Sequence, residues 1–466
     1  MNVLVLNGSP KGENSITLQT VYYLQKIYSQ HTFDILHVGQ RIKALEKNFT
    51  PAIDALVKAD VLLFSYPVYT FIAPCQLHRF IELMKEYKVP VTGKYATQLT
   101  TSKHFYDVTA HRYIQENCHD LGLKYIRGLS ADMEDLLKEQ GQKEAKAFWE
   151  HFCFCVEQNY EEPCYTPACH GLNSICDSSN TAFVSETTKV EKLTATLPAQ
   201  PSAPTTGDVV IVTDCTEADT GLSSMIARFQ AVLPYKTRIA NIAEYPLRGG
   251  CLGCFNCATD GKCIYTDGFD AYLRDSIQSA QAIIYAFTIR DHSMGARFKM
   301  YDDRQFCNGH RTVTIGTPMG YLISGTYSAE TNLQTILEAR AQVGGNILAG
   351  IATNEINPDK EIDALAHSLS YAIEHKFTQP QNFYGVGGMK IFRDLIYQMQ
   401  GMMKADHRFF KSHGQYDFPQ KNKGTILKMY LVGALLSSPK IKSKMGNKMN
   451  EGMLAPYKKV LDATSK

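Results

Sequence analysis

No apolar run in the 466-residue sequence approaches the ~20 residues that cross a bilayer, which argues against a helical membrane span. Met1 leads straight into an apolar, strand-like stretch rather than a charged segment, so no signal peptide is read and a cytoplasmic protein is expected. An excess of one charge is missing too. With 48 Lys and Arg against 46 Asp and Glu, the formal net charge of +2 speaks against a general nucleic-acid binder. The first glycine-bearing loop has neither G-x-x-x-x-G-K-[ST] nor G-x-G-x-x-G, which removes a P-loop triphosphatase and a dinucleotide-binding Rossmann unit. No Ser-His-Asp order or acid pair points to hydrolysis. What remains has the composition of a soluble globular chain, too long for one ordinary core, so two or three domains are expected.

The chain is organised around MNVLVLNGSPKGENSIT, a buried strand at Val3 to Leu6, a polar loop from Gly8, and the start of a helix over 14–29. Unpaired amides at a helix start attract phosphate, and Ser9, Lys11, Ser15 and Thr17 add donors at the same point. An ordinary strand-to-helix turn, with Ser and Asn as caps, reads equally well from these residues alone. Further strands are expected at 32–38, 61–65, 94–101 and 123–127, and helices at 51–59, 74–87, 108–119 and 131–157. Strands alternating with helices imply a doubly wound parallel sheet with ligands at the strands' carboxyl ends.

The GSP loop, with DVLLFSYPVYTFIAPCQLHRFIEL from residue 60, resembles the flavodoxin-like family of NAD(P)H-dependent FMN reductases. The resemblance implies that Ser9, Pro10, Lys11, Asn14, Ser15 and Thr17 grip the flavin phosphate. It also implies that Pro67, Val68, Tyr69, Thr70 and Phe71 border the flavin ring, with Thr101, Ser102 and Phe105 as further contacts. His104 and Tyr106 are read as surface packing.

From Asp208 the organisation repeats, with strands at 209–212, 237–242, 282–287, 313–315 and 347–353 and helices at 223–232, 330–342 and 359–375. The expected fold is therefore α/β: two flavodoxin-like domains in tandem at 1–158 and 208–379, a Cys-containing linker at 159–207, and a basic helical extension at 380–466. The second copy carries Asp214, Glu217 and Asp219 where the first has its phosphate loop, and Thr288, Ile289 and Arg290 where the first has Pro-Val-Tyr. Carboxylates repel a phosphate dianion, so this copy is not expected to hold FMN. GTPMGYLISG at 316–325 follows a strand, and its Gly316, Gly320 and Gly325 would let backbone approach a cofactor; an ordinary turn reads at least as well.

Thirteen cysteines are many for a cytosolic chain in which a disulfide framework is not expected, and metal or cluster ligation is the better reason for them. Cys251, Cys254, Cys257 and Cys263 form C-x2-C-x2-C-x5-C, which suits a [4Fe–4S] cluster; zinc, or empty and redox-active thiols, remain as alternatives. This group resembles that of the iron-sulfur flavoproteins. Cys153, Cys155, Cys164, Cys169 and Cys176 match no metal spacing.

The expected activity is transfer of electrons from NAD(P)H or a ferredoxin between FMN in the first domain and the cluster in the second, the tandem acting as its own dimer. The acceptor is a small molecule or a redox protein. The alternative is an electron carrier without a substrate of its own. The extension carries fifteen Lys or Arg against five acidic residues, which fits a solvated basic face better than a membrane or acidic partner.

Overall fold

The computed structural model describes residues 1–163, 193–202, 204–417 and 423–436. Cys164, Cys169 and Cys176 fall outside them. Met1–Phe409 forms one compact unit and the chain from Phe410 a second.

The first domain alternates β1 (Asn2–Asn7), α1 (Ile16–Ile27), β2 (Thr32–Leu36), α2 (Val38–Lys47), α3 (Thr50–Lys58), β3 (Val61–Pro67), α4 (Cys75–Glu86), β4 (Tyr95–Ser102), α5 (Asp107–Asp120), β5 (Lys124–Tyr125), β6 (Leu129–Asp132) and α6 (Glu139–Glu157). Its sheet runs β2-β1-β3-β4-β5, with β6 also paired to β4, and every pairing is parallel. Leu4 and Leu6 enter the core on one face and Val3 and Val5 the core on the other, which is why β1 reads as an unbroken apolar run.

The second domain has β7 (Thr205–Thr213), α7 (Thr220–Val232), β8 (Tyr235–Asn241), β9 (Ala282–Thr288), α8 (Gly295–Arg304), β10 (Pro318–Ser324), α9 (Thr331–Gly344), β11 (Ile347–Thr353) and α10 (Pro358–Glu374). Its sheet runs β8-β7-β9-β10-β11, all parallel; counted from each domain's own start, both orders are 2-1-3-4-5. Two parallel α/β domains are thus present, followed by helices α11 (Phe383–Gln398), α12 (Lys404–Ser412) and α13 (Lys423–Leu436). No helix among the described residues is long and apolar enough to cross a membrane.

The two domains pack reciprocally through α4 and α8. The first amide of α4, Cys75 N, donates to Asp303 Oδ2 at 2.8 Å, and Ala296 N at the start of α8 donates to Glu82 Oε1 at 2.7 Å. Each helix start, where unsatisfied amides attract negative charge, is thus capped by a carboxylate of the other domain. Ile336, Ala339 and Val343 of α9 also enter the first domain's core.

Some expectations need correction. No strand forms at 313–315, where Val313 and Ile315 are exposed; the strand is β10, inside the segment read as a turn. Gly320 sits in β10 because α10 lies close on it: a Cβ would come 2.7 Å from Leu365. The helix expected from 131 starts at Glu139, after β6 and a turn in which Asp132 N donates to Asp135 Oδ2. Helix α2 lies in a stretch given no element from the sequence.

Candidate active site

β1 ends at Asn7, whose side chain shapes the next loop: Nδ2 donates to Gly12 O (2.9 Å) and Oδ1 accepts from Ser9 N (3.2 Å). Gly12 turns the chain at φ +57°, and Ser15 enters α1 with extended backbone. Ser15 makes no capping bond to α1, so its buried hydroxyl and the first helical amides stay available to an anion. Thr17 Oγ1 lies 2.6 Å from Thr101 Oγ1, tying this loop to the end of β4.

After β3, a tight turn is closed by Tyr69 N to Ile72 O (2.8 Å) and Ile72 N to Tyr69 O (3.2 Å). Thr70 and Phe71 take φ values of 44° and 75°, a region that side-chain-bearing residues avoid. Val68 N donates to Thr101 O (3.3 Å), so three loops from the carboxyl ends of β1, β3 and β4 stand together.

The second domain's cysteine loop lies against them. Gly253, at φ +61°, has its Cα against the Tyr69 hydroxyl; a Cβ there would fall 2.0 Å from it. Lys11 Nζ sits 5.6 Å from the centre of the Phe255 ring. Gly253 N donates to Cys251 Sγ (3.4 Å), and Cys257 Sγ donates to Phe306 O (2.8 Å). Arg304 fixes the loop's flank with paired bonds to Asp267, both 2.8 Å, and its guanidinium lies 4.3 Å from the Tyr265 ring centre.

Together these loops enclose a cleft of about 200 Å³. Of the residues read from sequence it brings together Ser9, Lys11, Ser15, Thr17, Pro67, Val68, Tyr69, Thr70, Thr101, Ser102, Phe105, Cys251, Cys254, Cys257 and Cys263. Pro10, Asn14 and Phe71 do not line it. Pro10 is buried, Asn14 faces solvent, and Phe71 packs in the core against Phe105 and Tyr106.

Sequence reasoning missed the wall opposite the loops. Phe306, Cys307 and His310 follow α8 in a stretch without a motif, and Ile391 and Phe392 with Leu395 come from α11. Their spacing on α11 was the available signal, since residues three or four apart share a helix face. Phe392 stacks on Phe105 (4.5 Å, 22°) and meets the edge of His310 at 5.0 Å. His310 Nδ1 lies 3.0 Å from the Oδ2 of Asp406, a fully buried carboxylate on α12. The sequence stretch GVGG falls inside α11, where Gly388 lets the helix approach Val343 and Phe105.

The residues fit FMN. One end of the cleft offers buried hydroxyls at an uncapped helix start, and the other offers the apolar and aromatic faces of Val68, Phe105, Phe306 and Phe392. They fit zinc poorly. Among the described residues no three cysteine sulfurs lie within 4.8 Å of one another, as one tetrahedral ion would require. Burial pushes the Cys257 thiol up to about 11, the Cys307 thiol up to about 12, and Cys251 higher still, so these three thiols, when bare, stay protonated at neutral pH.

The equivalent loops of the second domain are arranged differently. Asp219 accepts from Thr216 N (3.0 Å) and Oγ1 (2.7 Å) and lies 3.5 Å from Arg290 Nη2. Its carboxylate thus stands among the second domain's counterparts of the loops that line the cleft in the first.

Residues 1–150 match the family model described as the flavodoxin-like fold. Residues 1–150 are a flavodoxin-like domain. Among solved structures the chain is similar to an NADPH-quinone reductase from P. pentosaceus (15% identity, 32% of this chain and 97% of that one, TM-score 0.27). It is similar to an NADH:FMN oxidoreductase in its apo form (20% identity, 32% and 87%, TM-score 0.29). A third likeness is to an FMN-dependent NADH-azoreductase from Bacillus anthracis str. Ames Ancestor in complex with FMN (13% identity, 32% and 98%, TM-score 0.26). No curated protein matches. The flavodoxin-like domain supplies one side of the cleft; the other side comes from residues 251–310 and α11, outside the matched segment.

Proposed function

We propose that the chain is an NAD(P)H-dependent FMN oxidoreductase that holds its flavin between the two α/β domains. The observation that carries this is the convergence of the Ser9–Thr17 loop, the Pro67–Thr70 loop and Thr101–Phe105 on one cleft with a polar and an apolar end. Bound FMN would supply hydride acceptance from a reduced nicotinamide and electron release, two at a time or singly. The hydroxyls of Ser9 and Ser15 and the α1 amides bind the phosphate, with Lys11 beside them. Pro67 to Thr70 border the ring. Tyr69 beneath Gly253, and Phe105 stacked on Phe392, keep water from its face. His310 Nε2 is the site for a proton, because Asp406 engages Nδ1 and fixes which nitrogen is left for the cleft.

Titration of the purified protein with FMN, followed by NADH or NADPH oxidation with a small quinone, azo or nitro acceptor, tests this reading. Absence of flavin binding overturns it.

A second reading concerns the thiols. Cys251, Cys254, Cys257 and Cys263 share one wall of the cleft, and Cys251 accepts an N–H···S bond, as cluster thiolates do. A [4Fe–4S] cluster there would let the protein pass single electrons to a ferredoxin-like partner. Iron and sulfide counts on anaerobically purified protein decide it: four of each support the cluster, and their absence removes it.

A further inference from the structure

The second domain reaches into the loop that borders the cleft with a buried ion pair. Lys299 and Asp303, one turn apart on α8, are both fully buried and paired with each other. Lys299 Nζ donates to the Tyr69 carbonyl (3.0 Å) and lies 3.3 Å from Thr70 Oγ1. Asp303 Oδ1 accepts from Thr70 Oγ1 (2.8 Å), while Oδ2 accepts from Cys75 N (2.8 Å). A neighbouring pair, Asp302 with Arg340 (2.6 Å), places the Arg340 guanidinium 5.6 Å from the Phe71 ring centre. The bonds that cross to the first domain land on residues 69–75, the segment whose Thr70 and Phe71 carry positive φ.

This grip is more than packing. A non-glycine residue in the left-handed region persists only where its surroundings over-determine it, and two in succession need more such support. A buried ion pair is also a weak way to gain stability, since desolvation offsets the attraction; apolar side chains of that volume would do as well. The reciprocal contact sharpens the point. His78 occupies on α4 the position that Lys299 occupies on α8, three residues beyond the capped amide. It is buried, stacked on Tyr113 at 4.1 Å, and its Nε2 bonds to nothing. The second domain's equivalent turn, with Asp291 and His292 at positive φ, is held by charge as well, Lys85 Nζ lying 2.9 Å from Asp291 Oδ1 and His292 bridging Asp120 and Glu330, but by partly exposed side chains; a fully buried pair grips only the turn beside the cleft.

We propose that Lys299 and Asp303 are positioning residues that hold the Tyr69–Phe71 turn in the conformation that sets Tyr69 and Thr70 against the bound ring. The second domain thereby sets how tightly the flavin is held and at what potential it is reduced. This rests on the FMN reading for its consequence, but the loop's own rigidity can be measured without flavin.

The test is the full-length double variant Lys299→Met with Asp303→Asn, which removes both charges together and keeps an acceptor for Cys75 N. In the flavin-free protein, amide exchange over residues 69–75 should quicken at least tenfold while β1 and β4 stay protected. FMN affinity, read by fluorescence titration, should fall at least tenfold, and the midpoint potential of the bound flavin should move from the wild-type value. Unchanged exchange over 69–75 in a folded double variant overturns the proposal, as does unchanged FMN affinity with unchanged potential. If the double variant does not fold, Thr70→Val removes the same contact from the loop's side, and the same exchange measurement decides. Wild-type protein that binds no FMN, with exchange still quickened in the variant, would refute the flavin reading and leave the grip on the loop supported.

Discussion

His310 Nδ1 is held 3.0 Å from Asp406 Oδ2, and the same carboxylate oxygen accepts from the His310 amide at 3.1 Å. The acid is fully buried on a helix far along the chain, and the imidazole lines the cleft with its other nitrogen unengaged by any described residue. Orientation of a ring by a buried carboxylate is how proteins fix which nitrogen handles a proton. His310→Phe should therefore lower turnover with a proton-requiring acceptor by roughly 10²-fold, the low end for a lost acid or base, while FMN content stays stoichiometric. Asp406→Asn should show a smaller loss. Rapid-mixing reduction of the acceptor by prereduced protein checks both, and equal rates in all three proteins would remove His310 from the chemistry.

The phosphate end is tested by charge. Ser9 is buried and Lys11 half-buried at the cleft edge, so Ser9→Glu with Lys11→Glu places two carboxylates beside the phosphate and deletes one cation. A close like-charge pair costs of order 1 kcal/mol or more even in a partly wet site, so FMN affinity should fall at least tenfold. Fluorescence titration measures it, and stoichiometric FMN on the purified variant would show that the phosphate binds elsewhere.

Most of this architecture was legible because its strands are covered on both faces. Val3 to Leu6 cannot be anything but a buried strand when apolar residues point both ways and a helix-start loop follows. Where that rule was relaxed, reading failed. Of the glycines that suggested a turn, Gly320 lies in β10 where α10 comes close to the sheet, while exposed Val313 and Ile315 imitated a strand they do not form. The loops of the first domain were found because their chemistry is local, with donors around a helix start and a turn after an apolar strand. The facing wall was not, because Phe306, His310 and Phe392 are gathered from separate segments by tertiary packing alone. Nothing in the spacing of α8 announced that Lys299 and Asp303 would turn toward another domain.

Gly253 marks where the cysteine loop meets the Pro67–Thr70 loop. Gly253→Ala introduces a left-handed alanine, costing about 1–2 kcal/mol, and a methyl within 2.0 Å of the Tyr69 hydroxyl. The variant should unfold several degrees lower. Adding Tyr69→Phe should recover only the steric part, because the backbone cost is independent of the ring. Thermal unfolding of the single and double variants separates the two contributions, and full recovery would show that Gly253 is needed only to clear the hydroxyl.

The cysteine loop can be examined without touching the phosphate end of the cleft. On the cluster reading, Cys251→Ala with Cys254→Ala should abolish iron and sulfide and leave FMN content as in wild type, since the residues placed around the phosphate belong to the other domain. Undiminished iron in that variant would place any cluster elsewhere.

The domain interface should carry its own pH signature. His292, on the second domain, bridges Glu330 through Nδ1 and Asp120 of the first domain through Nε2, both at 3.0 Å. Burial alone would push this imidazole down, but the two carboxylates outweigh it and raise it to about 10. Burial likewise acts against ionised Asp120, yet the His292 bond and Lys85 hold its carboxyl down at about 2. A histidine raised on folding stabilises fully below its unfolded value, near 6.5, and loses that contribution as pH climbs through 10. An aspartate depressed on folding stabilises above its unfolded value, near 3.8, and loses the contribution as pH falls through 2. His292→Gln should therefore lower the melting temperature at pH 6–7, and the difference from wild type should shrink steadily between pH 7 and 10. A difference that stayed constant over that interval would mean that His292 contributes through packing and not through charge, because only the ionised ring has anything to lose as protons are withdrawn.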